Sequence, residues 1–223
     1  MNCKLNTAYS YHWKKIKDSP DRLNFQLRAV ETFQKLFQEL LNIPFKGNIL
    51  DLGCGDGSLV RAMNTIKDIS AHGTDISEGI NFETDELPFD DNQFDIAIMY
   101  SVIEHIYDPG NILSQCKRVL KKNGKLLIVT PNFKTTKESF YDDPTHIRPF
   151  TPTGIEVLMN IYDMKKDFMG LWTVGKSVRF WKFPVNIQFM IGKCLPFNGN
   201  KRFVPGLLMG KSTTMLCVFE NKK

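Results

Sequence analysis

Residues 49–57 read I-L-D-L-G-C-G-D-G and place an acid directly before a run of spaced glycines. Apolar residues lead to Asp51, and glycines then stand at alternate positions, Gly53, Gly55 and Gly57. This is the pattern of a buried strand that ends in a tight turn and feeds a helix. Glycine permits positive φ there, and its missing side chain lets a ligand lie against the backbone. A dinucleotide site has G-x-G-x-x-G. Here Ser58 takes the third place and the glycine comes one residue early, at Gly57. Asp51 would also repel a phosphate, whereas it would attract an ammonium or sulfonium. The turn predicts a zwitterionic or cationic ligand, and the alternative is a glycine-rich turn that binds nothing.

The acid-x-Gly-x-Gly-x-Gly pattern that opens at Asp51 resembles the first motif of the class I S-adenosylmethionine-dependent methyltransferases. The resemblance covers residues 45–170 through several segments in the same order. Asp75 follows Asp51 by 24 residues, which places it at the carboxyl edge of the next strand, where open α/β sheets bind ligands. A carboxylate there can accept both hydroxyls of a ribose; an ordinary turn aspartate is the alternative. Residues 81–95, N-F-E-T-D-E-L-P-F-D-D-N-Q-F-D, resemble the family's loop around the adenine ring, with Leu87, Pro88 and Phe89 as its apolar wall. The resemblance implies S-adenosylmethionine as cofactor, held by Asp51, Gly53, Cys54, Gly55, Asp75, Ile76, Leu87 and Ser101.

Methyl transfer from a sulfonium is an in-line displacement. The acceptor atom must be aligned behind the methyl group, often beside a base that takes its proton. Ser101-Val102-Ile103-Glu104-His105, Thr130-Pro131-Asn132 and Asp142-Asp143-Pro144-Thr145-His146 are the segments that can supply such groups, with Glu104, His105 and His146 as the catalytic candidates. A similar E-H, T-P-N and later His arrangement occurs in ubiquinone-biosynthesis O-methyltransferases and small-RNA 2′-O-methyltransferases, some of which hold a divalent metal with two acids and histidines. This sequence departs from them at Ser101, where they carry the first acid. With that acid missing no metal ligands are assigned, and a histidine general base is at least as good a reading as a metal held near Glu104, His105 and His146. The structural alternative has His105 capping the strand end and His146 bonding loop carbonyls. Through Y-D-D-P-T-H-I-R-P-F-T the closer resemblance is to bacterial-type small-molecule methyltransferases, including those of surface-glycan synthesis.

The elements that must position these residues follow from periodicity. Ser19-Pro20 suits a helix start, and Leu23, Leu27, Val30, Phe33, Phe37, Leu40 and Leu41 form one apolar stripe up to Pro44. Helices are predicted over 59–67, from Asp108-Pro109 to a stop at Asn123-Gly124, and from Thr151-Pro152 to Met159. Strands are predicted over 69–75, 94–100, 125–130, 162–169 and 213–219. Strands alternating with helices give a parallel sheet covered on both faces. The resemblance makes it a Rossmann-like α/β fold, mostly parallel and seven-stranded, of order 3-2-1-4-5-7-6.

Length and composition limit the rest. At 223 residues and 42% hydrophobic, the chain suits a single domain: an N-terminal arm and helix (1–44), a cofactor-binding core (45–170) and an insertion (171–212) before the last strand. No apolar run is long enough to span a bilayer and no signal peptide is visible, so a cytoplasmic protein is expected. Five separated cysteines without a C-x-x-C pair read as reduced thiols. The net charge of +5 conceals an asymmetry. Between Phe168 and Phe219 there are seven basic residues and no acid, so the rest of the chain sums to −2.

The aromatic and aliphatic residues of that basic stretch predict a substrate-side lid that touches an anionic membrane. The alternatives are a plain cover for the sheet, a dimer interface or, less favoured, a nucleic-acid surface. Pro184, Pro196 and Pro205 exclude one long helix. The reading is a methyltransferase acting on an oxygen of a small-molecule, glycan or anionic lipid-linked substrate. Its rivals are a non-catalytic binding module with the same fold and a nicotinamide-dependent oxidoreductase.

Overall fold

The computed structural model describes residues 20–172, 178–195 and 213–223. Helix α1 (Pro20–Leu40) opens the described chain; Ser19 and the expected arm lie outside it. The buried face of α1 is Ala29, Val30, Phe33, Leu36 and Phe37. Leu36 joins the predicted stripe, whereas Leu23 is 40% exposed. Each fully buried phenylalanine contributes about 1.5–3 kcal/mol, and Phe33 and Phe37 both pack on Phe45 just before the sheet begins.

The sheet has strands β1 (Gly47–Leu52), β2 (Ile69–Thr74), β3 (Phe94–Tyr100), β4 (Leu120–Pro131), β5 (Met164–Trp172) and β6 (Thr214–Asn221). Their order is β2-β1-β3-β4-β6-β5, with β6 antiparallel to both neighbours. That is the expected order and hand of pairing, less one strand: six among the described residues, where seven were expected. The missing strand would lie beyond β2. A parallel crossover needs a dozen or more residues, but after Asp75 the chain makes one 3-10 turn (Ile76–Glu78) and by Asn81 has entered a bonded loop, in which Asp85 accepts from the Asn81 amide at 2.8 Å.

Helices α2 (Ser58–Met63) and α3 (Gly110–Val119) cover opposite faces. Leu59, Ala62 and Met63 of α2 join the core layer that contains α1; Ile112, Leu113, Cys116 and Val119 of α3 join the other. The expected stop of α3 at Asn123-Gly124 is too late, because the chain is already extended at Leu120, which pairs with Phe94. Asn123, at φ 61, makes a turn within the extended segment instead. Helix α4 (Phe133–Thr136), a 3-10 turn (Lys137–Asp142) and α5 (Pro152–Ile161) follow. Thr151 caps α5 by accepting from the Gly154 amide.

The expected insertion starts slightly later than predicted, since β5 runs through Trp172. Its described parts are α6 (Val178–Trp181) and α7 (Val185–Cys194). Both are short, and no described helix is long and apolar enough to cross a membrane.

Candidate active site

Asp51, Gly53, Cys54, Gly55, Asp75, Ile76, Ser101, Glu104 and His105 lie at or just past the carboxyl ends of β1, β2 and β3. Asp51 lies centrally, paired with Gly73 of β2 and Ile98 of β3. Its side chain is buried and Oδ1 has no hydrogen-bond partner among the described residues. Burial first, then the charges of Asp75 and Asp56, push its carboxyl up to about 7. A buried acid with an unanswered oxygen suits a cationic group.

The turn after Asp51 doubles back under backbone bonds: the Gly53 and Cys54 amides donate to the Thr74 carbonyl at 2.7 and 3.2 Å. Gly53 has φ 77, and a Cβ there would lie 2.4 Å from Val102 Cγ2. Gly55, at φ 54, donates its amide to Asp75 Oδ2 at 3.1 Å. Asp75 Oδ1 accepts from the Ser77 amide at 2.9 Å. Both carboxylate oxygens are thus held by backbone, and each keeps a further lone pair for a hydroxyl. Ile76 follows with 48% of its surface exposed. These observations fit S-adenosylmethionine: an acid for its amino-acid portion, a turn of glycines at positive φ with no side chain above the main chain, and an oriented carboxylate for the ribose.

Other expected cofactor residues are placed differently. Leu87 is sunk in the core, its amide donating to Gln115 Oε1, so its side chain is part of the packing beneath the loop. Ser101 is exposed at φ 56, its amide bonded to the Val129 carbonyl. Cys54 packs against Gly73, and burial, followed by the charges of Asp51 and Asp75, pushes its thiol up to about 12, which leaves it unreactive.

The structure brings Glu104, His105 and His146 together, with one ligand atom from each inside 4.8 Å. Glu104 and His105 sit on a 3-10 turn (Ile103–His105) just past β3. The Glu104 carbonyl accepts the amides of Ile147 and Arg148, both at 3.0 Å, which fastens the His146 loop onto that turn. The Glu104 side chain is fully buried. Its Oε2 accepts from Thr130 Oγ1 at 2.9 Å, and Oε1 has no partner among the described residues. Burial lifts its carboxyl to about 7 against the hydrogen bonds that favour ionisation.

His105 Nδ1 donates to the Thr145 carbonyl at 3.0 Å, and His146 Nδ1 to the Phe140 carbonyl at 2.7 Å. A carbonyl only accepts, so each Nδ1 carries a proton, and in the neutral ring the lone pair is on Nε2. His146 also stacks on the Phe140 ring, 4.7 Å between centroids, and 4.9 Å from His105. Burial lowers the His105 pKa, its neighbour His146 adding to the effect, so the imidazole is neutral near pH 7. Thr130, Phe140 and Thr145 were not among the candidates. Two of the three act through main-chain carbonyls; a loop carbonyl for His146 was the structural alternative, but which carbonyl no residue type reveals.

A family model described as a methyltransferase domain matches residues 25–165. The chain belongs to that family. It is an S-adenosylmethionine-dependent methyltransferase domain. An uncharacterised protein of Methanocaldococcus jannaschii is 29% identical over 156 residues, covering 60% of this chain and 68% of that protein. A ubiquinone biosynthesis O-methyltransferase of Dinoroseobacter shibae is 34% identical over 108 residues, 40% of this methyltransferase and 43% of that enzyme. The chain thus matches less than half the length of that relative. Among solved structures, a SAM-dependent methyltransferase from Archaeoglobus fulgidus superposes with a TM-score of 0.58 at 16% identity, covering 95% of this chain and 99% of that one. One from Aquifex aeolicus gives 0.56 at 14%, covering 94% and 97%. These two show a shared fold.

Proposed function

We propose that this methyltransferase acts on an oxygen of a small-molecule, glycan or lipid-linked acceptor, with the His105–His146 pair taking the proton that the acceptor loses. S-adenosylmethionine, when bound, supplies a methyl group activated by its sulfonium. Asp51 and Asp75 orient it; Gly53 and Gly55 let it approach the main chain. Across the edge, a hydroxyl acceptor needs a neutral base held in one tautomer, because general bases are effective when correctly protonated and within hydrogen-bond reach. The observation that carries the proposal is the pinning of both Nδ1 atoms by carbonyls beside the buried Glu104. The proton taken by an Nε2 lies close to Glu104, whose charge would stabilise the imidazolium.

A second reading is favoured by the same 4.8 Å cluster. One carboxylate and two imidazoles whose other nitrogens bond carbonyls are a ligand set for a divalent cation, and Glu104, His105 and His146 would hold it. It would polarise the acceptor oxygen. The test is formation of S-adenosylhomocysteine over a panel of phosphosugar, lipid-linked glycan and quinol acceptors, with and without EDTA. Turnover that survives EDTA supports the histidine base; loss restored by Mg²⁺ or Mn²⁺ supports the cation. Cofactor binding without product on any acceptor would favour the non-catalytic module.

A further inference from the structure

We propose that the outer face of α6 and α7 docks on an anionic membrane surface and so presents the carboxyl edge of the sheet to acceptors at that surface. Topology comes first. Trp172 at the end of β5 pairs with Thr214, and Thr214 with Pro131; the Asn132 amide donates to the Thr213 carbonyl at 2.8 Å. The segment between β5 and β6 therefore leaves and re-enters the sheet beside Thr130-Pro131-Asn132, on the edge that carries the site.

Its inner face is fixed. Gln188, only 1% exposed, accepts from the Leu171 amide at 2.9 Å and donates to the Phe183 carbonyl at 2.7 Å, joining α7 to the free side of β5. Phe180 and Ile191 pack into the core layer of α1. Among the described side chains of α7, Asn186, Met190, Lys193 and Cys194 are exposed, at spacings of three and four residues. Met190 is 62% and Phe183 49% exposed, and Arg179 and Lys182 are exposed near Phe183.

Charge identifies the occupant. Several cations elsewhere meet acids, with Lys117 on Asp163, Lys121 on Asp95, Lys166 on Glu156 and Lys125 on both Asp167 and Glu220, and those that do not, such as Lys35 and Lys134, lie in stretches that also carry acids. Arg179, Lys182 and Lys193 make no ion pair among the described residues, and the sequence places no acid between Phe168 and Phe219. The two acids that share a groove with Lys182 and Phe183, Glu156 and Asp167, are already taken by Lys166 and Lys125. Unneutralised cations beside exposed Phe and Met match a headgroup layer: the charges meet anionic lipid and the apolar side chains enter the acyl boundary.

The proposal does not rest on the acceptor chemistry above, and its test needs no turnover. The whole protein is sedimented with phosphatidylcholine vesicles and with vesicles that also contain phosphatidylglycerol. It is expected to pellet with the anionic vesicles only. Arg179→Glu/Lys182→Glu/Lys193→Glu is expected to lower partitioning by on the order of a hundredfold, as about fivefold per basic residue implies. Phe183→Ser/Met190→Ser, which keeps the charges, is expected to lower it by roughly tenfold. Circular dichroism and Tm verify that each variant is folded. Wild type remaining in the supernatant with anionic vesicles, or a folded triple variant pelleting like wild type, overturns the proposal. So does binding to single-stranded oligonucleotide but not to vesicles.

Discussion

The two sides of the carboxyl edge are built by different means. On the cofactor side the main chain does most of the shaping: three glycines at φ 77, 54 and 70, and an Asp75 whose two oxygens are held by amides. On the side proposed to take the acceptor, side chains do it: Glu104 and His105 from one turn and His146 from a later loop, aimed by Thr130 and by two loop carbonyls. A main-chain cradle needs one contiguous stretch of sequence. A side-chain cluster needs the whole fold. The first side can therefore keep one cofactor while the second is altered for different acceptors, and the two should respond separately to mutation.

The largest effect should come from the acceptor side. Either His105→Ala or His146→Ala is expected to lower turnover by about 10²–10⁴-fold, the usual contribution of a general base, while calorimetry finds the affinity for S-adenosylhomocysteine unchanged. If both variants keep full turnover, the histidines are structural and the comparison fails on that side. On the cofactor side Asp75→Ala should reverse the pattern, weakening S-adenosylhomocysteine roughly ten- to a hundredfold through loss of hydrogen bonds worth about 1.5–3 kcal/mol. Unchanged affinity in a folded variant would remove Asp75 from the site.

Asp51 adds a pH dependence. Its pKa is raised in the unliganded fold from 3.8 to about 7, so the native state holds a proton that the unfolded chain has released. That contribution to stability is complete below pH 3.8 and is lost as pH rises through about 7. A bound cation favours the ionised acid. Affinity for S-adenosylhomocysteine should thus climb by up to about tenfold between roughly pH 5.5 and 7, and Asp51→Asn should flatten the profile. A wild-type profile already flat would separate Asp51 from the ligand's charge. The smallest effect is expected for Thr130→Val, which leaves the buried Glu104 Oε2 without its donor. We expect about 1–3 kcal/mol of stability lost in denaturant titration, with turnover reduced more than cofactor affinity.

What could be read from the sequence follows the same division. The strand from 94 to 100, the capped start of α5 and the glycine turn were legible because each depends on neighbours in the chain: apolar continuity, a Thr-Pro cap, residues able to take positive φ. The expected seventh strand came from the resemblance, and the short path from Asp75 to Asn81 has no room for it. The early end of α3 was hidden because Asn123-Gly124 marks a turn equally well in a helix stop and in an extended segment. The histidines could be nominated but not aimed, since the Thr145 and Phe140 carbonyls that orient them carry no side-chain signal. Gln188 was similarly silent: a glutamine inside an apolar helix becomes meaningful only when it meets the Leu171 amide on the edge strand.

The central claim is that the turn after Asp51 is the seat of S-adenosylmethionine, and calorimetric titration of S-adenosylhomocysteine into wild type and Gly53→Ala tests it most directly. A Cβ at Gly53 must push into Val102 at a backbone angle that favours glycine. We predict saturable one-to-one binding to wild type and a loss of at least about tenfold in the variant, with circular dichroism showing that the variant is folded. Absence of binding to wild type, or equal binding to a folded Gly53→Ala, would contradict it.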